Sequence, residues 1–221
     1  MSAAAVLETF DLRADESDFE PVATRLYIEL AAEARRLDGA DAGEAVRRLE
    51  NPSSSSREAK KLLYLAVRAL EPELVVETGP FNGAASAFLL QALEDNGTGR
   101  LVSFDLPDAV DALGVPLPAG RRPGWLVPER LRHRYEVVLG DVRSTLRPRL
   151  AAEGAVDLFF HDSLHTARQM LFEYRNAWRR MRSGGLLVSD DVSWNRAFWA
   201  FTKLHRVRFG TVGEVGVTRK P

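Results

Sequence analysis

Residues 156–191 constrain the fold of this chain more than any other part of its sequence. VDLFFHDSLH and GGLLVSDD are two short apolar segments that run into aspartate, at Asp162 and at Asp190 and Asp191, with an amphipathic helical segment between them. The interval fits a strand, a helix and a strand, and a right-handed parallel crossover brings both strand ends to one edge of a sheet. Open α/β sheets bind ligands at that edge.

The three aspartates suggest a cation site. Carboxylates that meet at one sheet edge repel one another unless they share a hard divalent cation, protons or a cationic partner. We therefore predict that Asp162, Asp190 and Asp191 bind a metal ion of the Mg²⁺ type. The alternative is structural, since each aspartate could also cap the helix that follows it.

The rest of the chain from Leu74 repeats the alternation of strand and helix. Apolar segments predict strands at 74–78, 101–106, 135–140, 156–161 and 185–190, and helical segments at 84–95, 142–152 and 165–182 separate most of them. RVRFGTV and EVGVTRK, with Gly213 between them, predict an antiparallel hairpin at the end. The expected fold is α/β, a doubly wound, mostly parallel seven-stranded sheet with helices on both faces.

The N-terminal region has a different pattern. Helical periodicity predicts amphipathic helices at 22–37 and 57–70, separated by a run that includes Pro52–Ser56. We divide the chain into a helical extension, 1–56, that serves as a lid or a dimer contact, and a main domain, 57–221.

A long connection of residues 107–134 interrupts the alternation and contains five prolines and Trp125. Connections of this length usually cover a functional site or pack as a surface loop, and the sequence favours neither.

Composition excludes several classes of chemistry. The chain has no cysteine, so thiolate catalysis, disulfides and cysteine-ligated zinc are excluded. A net charge of −1 gives no reason to expect nucleic acid or an anionic membrane as a partner. No apolar run reaches the length of a bilayer span, and the acidic first 20 residues do not look like a signal peptide, so we expect a cytoplasmic protein.

The turn after the first strand indicates a nucleoside site. Gly79 and Gly83 allow a tight turn before a helix, but the sequence lacks both G-x-G-x-x-G and a P-loop lysine. Glu77 would repel a pyrophosphate but could pair with a ligand ammonium group. Asp105 ends the second strand, where it can accept hydrogen bonds from ribose hydroxyls, and Asp141 follows the third, within reach of an adenine amino group. S-adenosylmethionine is a cationic nucleoside of this description.

These motifs together resemble the class I S-adenosylmethionine-dependent methyltransferases. VVETGPFNGAAS is similar to the first motif of that family, LVSFDL to the acidic end of its second strand, and VVLGDV to its third motif. HDSLH followed by SDD resembles the metal-dependent O-methyltransferases of the catechol and macrocin types. The resemblance covers about residues 57–220, and the N-terminal region matches no motif.

The resemblance implies a Rossmann-like methyltransferase fold and a set of site residues. The cofactor would be surrounded by Glu77, Thr78, Gly79, Phe81, Gly83, Ser86 and Asp105, with Asp141 near its adenine. His161 would be buried or would touch the cofactor. Asp162, Asp190 and Asp191 would hold the metal, which their hard oxygen ligands predict to be Mg²⁺.

The catalytic base is His165 in our interpretation. A lysine serves as base at this position in the catechol enzyme, whereas the macrocin-type enzymes are expected to use an aspartate one position earlier, where this chain has Leu164. The metal would orient a substrate hydroxyl and lower its pKa, His165 would take the proton, and the oxygen would attack the sulfonium methyl in line. His165 as an ordinary first-turn helix residue is the alternative.

The leading hypothesis is a metal-assisted O-methyltransferase that acts on a hydroxyl of a small molecule, a sugar or natural-product scaffold, in a monomer or homodimer. One alternative omits the metal and leaves His165 to act alone. Two others are a nicotinamide-dependent oxidoreductase, which the missing glycine fingerprint disfavours, and a non-catalytic binding module with the same fold.

Overall fold

A seven-stranded sheet forms the centre of the protein. The computed structural model describes residues 1–37, 43, 57–110 and 114–221. The strands are β1 (Leu74–Thr78), β2 (Arg100–Asp105), β3 (Tyr135–Leu139), β4 (Val156–His161), β5 (Met181–Ser189), β6 (Phe209–Val212) and β7 (Val215–Arg219). Their order is β3-β2-β1-β4-β5-β7-β6. β1 to β5 are parallel, and β7 pairs antiparallel with both β5 and β6, which confirms the predicted fold class.

Helices cover both faces of this sheet. They are α1 (Ala3–Glu8), α2 (Phe19–Ala34), α3 (Arg57–Leu70), α4 (Ala84–Asn96), α5 (Val142–Ala152), α6 (Ala167–Arg180) and α7 (Ala197–His205), with short 3-10 turns at Glu16–Asp18 and Glu129–Arg134. Side chains of α1 to α4 pack in one hydrophobic cluster and those of α5 to α7 in another. Strand residues alternate between the clusters, as Val75 and Val76 do, because successive side chains of a strand point to opposite faces.

The order of the strands reverses between β1 and β4. β1 leads away through β2 to β3, and β4 leads the other way to β5. Such a switch point leaves a crevice beyond the carboxyl ends of the two central strands, where ligands of doubly wound sheets bind. The Thr78 and His161 ends of the two strands are paired in register, so the loops that follow them lie side by side.

Two predicted boundaries differ from the structure in ways that concern the site. α6 begins at Ala167 and not at residue 165, because Thr166 caps it by accepting a hydrogen bond from the Gln169 N–H at 3.3 Å. His165 therefore lies in the preceding loop, and its interpretation as a first-turn helix residue was wrong. β5 begins at Met181, inside the interval predicted as helix.

The N-terminal helices pack into the main core. Val6, Leu7 and Phe19 are buried in the same cluster as residues of α3, α4 and the sheet. The guanidinium of Arg219 donates hydrogen bonds to the carbonyls of Phe10 and Gly184. The predicted linker 52–56 lies outside the described residues, and the first predicted helix is present but ends at Ala34. Among the described helices, none has the length and apolar character needed to cross a membrane.

Candidate active site

The loop after β1 touches the loop after β4 directly. Gly79 has a φ of +79°, and a Cβ at this position would lie 2.1 Å from the carbonyl oxygen of Asp162. Only glycine accommodates both that backbone conformation and that approach. Gly79 also donates its N–H to the Phe104 carbonyl at 2.9 Å, which holds the loop over the end of β2. The loop after β1, which is predicted to hold the cofactor, is therefore in van der Waals contact with the loop that carries Asp162.

Asp105 holds the tip of the β1 loop in place. Its Oδ2 accepts the Phe81 N–H at 3.0 Å, and its Oδ1 accepts the Leu106 N–H at 2.8 Å. Phe81 has a φ of +44°, a costly conformation for a residue with a side chain, and the hydrogen bond from its N–H helps to maintain it. Burial raises the pKa of Asp105 to about 6. Each carboxylate oxygen keeps a second lone pair that can accept a hydrogen bond from a ligand.

Part of the long connection forms a fixed wall on this loop. The N–H groups of Gly124 and Leu126 donate to the carbonyls of Phe81 and Asn82 at 2.8 and 2.9 Å. Gly83 faces this wall so closely that a Cβ there would lie 2.8 Å from the Gly124 Cα. The described part of the connection that includes Gly124–Leu126 therefore packs on the predicted cofactor loop through backbone hydrogen bonds.

Glu77 and Ser86 lie behind the loop, in the core. The Glu77 side chain is fully buried, and its Oε2 accepts hydrogen bonds from the hydroxyls of Ser86 and Ser103, both at 2.6 Å. Burial raises the pKa of Glu77 to about 7 in spite of these two donors. Its Oε1 and the Tyr135 hydroxyl are buried with no hydrogen-bond partner among the described residues. In this arrangement Glu77 supports the loop from below.

Thr78 and His161 belong to a second buried network, centred on Glu173 of α6. The Glu173 carboxylate accepts hydrogen bonds from Thr78 Oγ1, Ser163 Oγ and Gln169 Nε2 and is paired with His161 Nδ1, at 2.6 to 2.7 Å. Burial raises the pKa of Glu173, but the charge of His161 and these hydrogen bonds outweigh it and leave the pKa below its ordinary value. The network joins the ends of β1 and β4 to α6.

Asp141 lies at the surface and caps α5. Its Oδ1 accepts the Arg143 N–H at 2.8 Å. The cap uses one carboxylate oxygen of this exposed side chain. Asp141 follows the end of β3 at the carboxyl edge of the sheet, as the sequence predicts.

Asp162, Asp190 and Asp191 form an acidic cluster at the ends of β4 and β5. Burial and the neighbouring carboxylates raise the pKa of Asp162 well above its ordinary value and that of Asp191 to about 7, and burial also raises that of Asp190. Asp191 donates its N–H to Asp190 Oδ1 at 3.0 Å and has a φ of +50°, a strained conformation of the kind that collects at functional sites.

The cluster has a cationic neighbour that was not predicted, Lys60 of α3. The Lys60 side chain is buried, with its ammonium 5.7 Å from the centre of the Tyr27 ring. Burial lowers its pKa to about 8, and the charges of Asp162 and Asp190 oppose that shift. The sequence does contain a signal, because Lys60 lies on the same face of α3 as the buried Leu63, Tyr64 and Val67. Glu173 was missed in the same way, as a charged residue on the buried face of α6.

The arrangement of the three carboxylates gives the predicted metal site no support. Among the residues that the structure describes, no group of three His, Cys, Asp or Glu side chains is placed so that it could hold one. The donors are chemically suited to Mg²⁺, but Lys60 supplies a positive charge to the same cluster. Two of the three ways to relieve the repulsion of the carboxylates are present among the described residues: the raised pKa values favour protonation, and Lys60 adds a positive charge that partly offsets those shifts.

His165 lies between two of these aspartates. Its Nδ1 is 3.6 Å from Asp191 Oδ2 and its Nε2 is 3.9 Å from Asp162 Oδ1, both beyond hydrogen-bond distance. The Nε2 atom is buried with no hydrogen-bond partner among the described residues. Burial and the charge of His161 lower the pKa of His165 to about 4, so the imidazole is neutral at physiological pH. When the ring proton is on Nδ1, the neutral imidazole presents Nε2 as a hydrogen-bond acceptor, with the carboxyl groups of Asp162 and Asp191 on either side.

Comparisons with known proteins agree with this architecture. A family model described as a methyltransferase domain matches residues 76–192, from β1 through the acidic cluster. An O-methyltransferase from Bacillus cereus, solved in complex with SAH, has 17% identity and a TM-score of 0.62 over 86% of this chain and 90% of that chain. TomG, an O-methyltransferase from Streptomyces achromogenes involved in tomaymycin synthesis and solved with SAM, has 19% identity and a TM-score of 0.60 over 87% and 90%.

A third structure, the SAH-bound methyltransferase PaMTH1 from Podospora anserina, has 16% identity and a TM-score of 0.57 over 92% of this chain and 97% of that chain. At such identities the likeness concerns the fold. A comparison with curated protein sequences finds no match. The family match covers more than half of the chain and confirms the predicted resemblance to methyltransferases. The chain belongs to the methyltransferase domain family.

Proposed function

We propose that this protein transfers the methyl group of S-adenosylmethionine to a hydroxyl oxygen of a small molecule. The observation that carries the proposal is the contact at Gly79. The glycine turn after β1 and the acidic end of β2 are typical of a nucleoside site. The contact places that turn directly against the loop after β4, which carries Asp162 and the neutral His165. Family membership and the O-methyltransferases of the same fold that were solved with SAM or SAH support the same reading.

The donor would bind on the β1 and β2 side. Asp105 would accept hydrogen bonds from the ribose hydroxyls through its remaining lone pairs, and Asp141 would lie near the adenine. The backbone of Gly79, Phe81 and Gly83 would line the site, while Thr78, Ser86, Glu77 and His161 would act from the buried layer behind it.

The acceptor would bind on the β4 and β5 side. Its hydroxyl would donate a hydrogen bond to His165 Nε2, and its oxygen would attack the sulfonium methyl in line. The new oxygen–carbon bond forms as the carbon–sulfur bond breaks, the sulfur keeps the electron pair, and the proton passes to the imidazole. Asp191, at 3.6 Å, would stabilise the imidazolium.

The predicted role of Mg²⁺ has no support in the arrangement of the described residues, so no step is assigned to a metal. The metal-independent form of the reaction is favoured by Lys60, which brings a positive charge to Asp162 and Asp190. We expect methyl transfer to persist in excess EDTA. Loss of activity in EDTA that Mg²⁺ restores would instead support the metal-assisted reaction.

Calorimetry with S-adenosylhomocysteine tests the donor site. We expect Asp105→Asn to weaken binding by about 10- to 100-fold, because hydrogen bonds to a charged group contribute roughly 1.5–3 kcal/mol. Glu129→Gln, at an exposed carboxylate of the 3-10 turn, serves as the control and should bind like the wild type. Failure of the wild type to bind, or equal affinity of both variants, would refute the assignment.

The other two functions lead to different results. A nicotinamide-dependent oxidoreductase would bind NADH or NADPH in the same calorimetric assay, and the family match gives that reading no support. A non-catalytic module would bind S-adenosylhomocysteine but transfer no methyl group to any hydroxylated compound.

A further inference from the structure

A cleft of about 550 Å³ opens at the loop that follows β5. It is lined by Ser193, Trp194, Asn195, Arg196 and Trp199. None of these residues belongs to the predicted site, although the loop begins immediately after Asp191. A cleft of this volume is of the size that holds a small organic molecule.

Four aromatic residues of this segment divide into two pairs. Phe198 and Phe201 are almost completely buried and make edge contacts with the Tyr174 ring, so they belong to the core. Trp194 and Trp199 are 58% and 37% exposed. Trp194 and Trp199 line the cleft, and Trp199 is held there by edge contacts with the rings of Phe198 and Phe209 at 5.7 and 4.9 Å, centre to centre. Aromatic faces of this kind stack favourably on aromatic ligands.

Trp194 connects the cleft to the proposed catalytic group. Its ring lies 5.4 Å from the ring of His165, centre to centre, and its backbone N–H donates to the Asp191 carbonyl at 3.1 Å. Asn195 donates from Nδ2 to the His165 carbonyl, also at 3.1 Å. The same loop thus forms the wall of the cleft and holds His165, so a ligand stacked on Trp194 has one end beside His165.

The two sides of the cleft also differ in charge. Arg196 is exposed, and its guanidinium makes no hydrogen bond or ion pair with the residues that the structure describes. On the other side, Ser193 donates to Glu214 Oε1 at 2.7 Å, and Glu214 helps to raise the pKa of Asp191. A ligand would direct hydroxyl donors toward the carboxylates and an anionic group toward Arg196.

We infer that this cleft is the acceptor site and that it selects a hydroxylated aromatic compound with an anionic substituent. The inference rests on the proposed function and makes it more specific, since it replaces the sugar expected from the sequence with an aromatic acid. Trp194 and Trp199 select the flat ring, and Arg196 selects the charge.

Three probes separate these contributions: protocatechuate, its uncharged methyl ester, and glucuronate, which is anionic and hydroxylated but not aromatic. Binding to the full-length protein is measured by calorimetry and tryptophan fluorescence, with and without saturating S-adenosylhomocysteine. We expect protocatechuate to bind about three- to tenfold more tightly than the ester, the range for a partly exposed charge-assisted contact. Glucuronate should bind at least tenfold more weakly than protocatechuate.

Two variants and a control assign the preference to residues. Arg196→Gln should bring the affinity ratio of acid to ester close to one, and Trp199→Leu should weaken both aromatic probes by about three- to tenfold. Arg208→Gln, at an exposed arginine beyond α7, should leave every affinity unchanged.

Equal binding of acid and ester by the wild type, equal binding of glucuronate, or an unchanged ratio in Arg196→Gln would each overturn the inference. A wild-type dimer that Trp199→Leu dissociates would also overturn it, because a second copy would then cover the rings. Protein that binds S-adenosylhomocysteine but shows no aromatic preference refutes this inference alone. Protein that binds protocatechuate but not S-adenosylhomocysteine keeps the cleft and refutes methyl transfer.

Discussion

Buried ionisable side chains near the sheet edge are stabilised in three different ways. Glu77 has two hydroxyl donors and a pKa raised toward neutrality, so protonation relieves much of the cost of its burial. Glu173 stays charged because the groups around it donate to both of its oxygens. The positive charge of Lys60 lowers the pKa of Asp162 and Asp190, although burial and neighbouring carboxylates keep both values above the ordinary one. A buried charge is costly unless it is paired, hydrogen-bonded or neutralised, and this protein uses each of these solutions.

Glu77 should make the stability of the fold depend on pH. Its pKa in the folded protein is about 7, against an ordinary 4.5, so the folded state binds the proton more tightly than the unfolded state. The free energy of unfolding should therefore fall as the pH rises from about 4.5 to about 7 and level off above that. We expect Glu77→Gln to remove this contribution, which is at most about 3 kcal/mol.

Urea unfolding of the wild type and Glu77→Gln at about pH 5 and about pH 8 measures the effect. The raised pKa values of the aspartate cluster make the stability of both proteins depend on pH. The effect of Glu77 is therefore measured by the difference in unfolding free energy between the wild type and Glu77→Gln. A difference that does not change between the two pH values would contradict the assignment to Glu77.

At the scale of elements, strand ends were predictable and side-chain partners were not. Apolar runs that stop at Asp105, Asp141 and Asp162 locate the carboxyl edge, because parallel strands read as continuous apolar segments. The partners of Glu77 and Lys60 come from other elements, and one sequence without tertiary contacts does not reveal them. The start of α6 was missed because Thr166, and not Asp162, provides its cap.

The contact between the β1 and β4 loops should make Gly79 intolerant of a side chain. Gly79→Ala adds a Cβ that would lie 2.1 Å from the Asp162 carbonyl oxygen, in addition to the cost of a positive φ. We expect this variant to lose several kcal/mol of stability or to fold with a displaced loop, and to bind S-adenosylhomocysteine weakly.

Gly97→Ala is a matched control. Gly97 has a φ of +72° at the end of α4, but among the described residues no atom beyond its chain neighbours lies within 4 Å of the place that its Cβ would take. Gly97→Ala should lose only the stability that a positive φ costs a residue with a Cβ, about 1–2 kcal/mol. Equal losses of unfolding free energy in the two variants would show that backbone conformation, and not the contact between loops, requires glycine at residue 79.

At the scale of the whole molecule, the switch point divides the proposed site between two halves of the sheet. The groups proposed to bind the donor follow β1, β2 and β3, and those proposed to bind the acceptor follow β4 and β5. The described N-terminal residues do not form a separate layer, because α1 and α2 share one hydrophobic cluster with α3, α4 and the sheet. The predicted boundary at residue 56 therefore separates segments of sequence that pack in one core.

Leu7 tests that shared core. It is fully buried in α1, so Leu7→Ala should cost about 2–5 kcal/mol in a single unfolding transition of the whole protein. Ile28→Ala, at a position of α2 that is 65% exposed, should cost less than about 0.5 kcal/mol. Urea unfolding followed by fluorescence and circular dichroism compares them. An early, separate transition in Leu7→Ala would show that the N-terminal helices unfold as an independent unit.

The charged network at Glu173 has a consequence for the speed of the reaction. Any thermal fluctuation that moves the end of β1 or β4 away from α6 must break a short hydrogen bond to a carboxylate that water does not reach. In the proposed reaction this network would hold the ends of β1 and β4 in place before the substrates bind, so that less conformational entropy would be lost when they do.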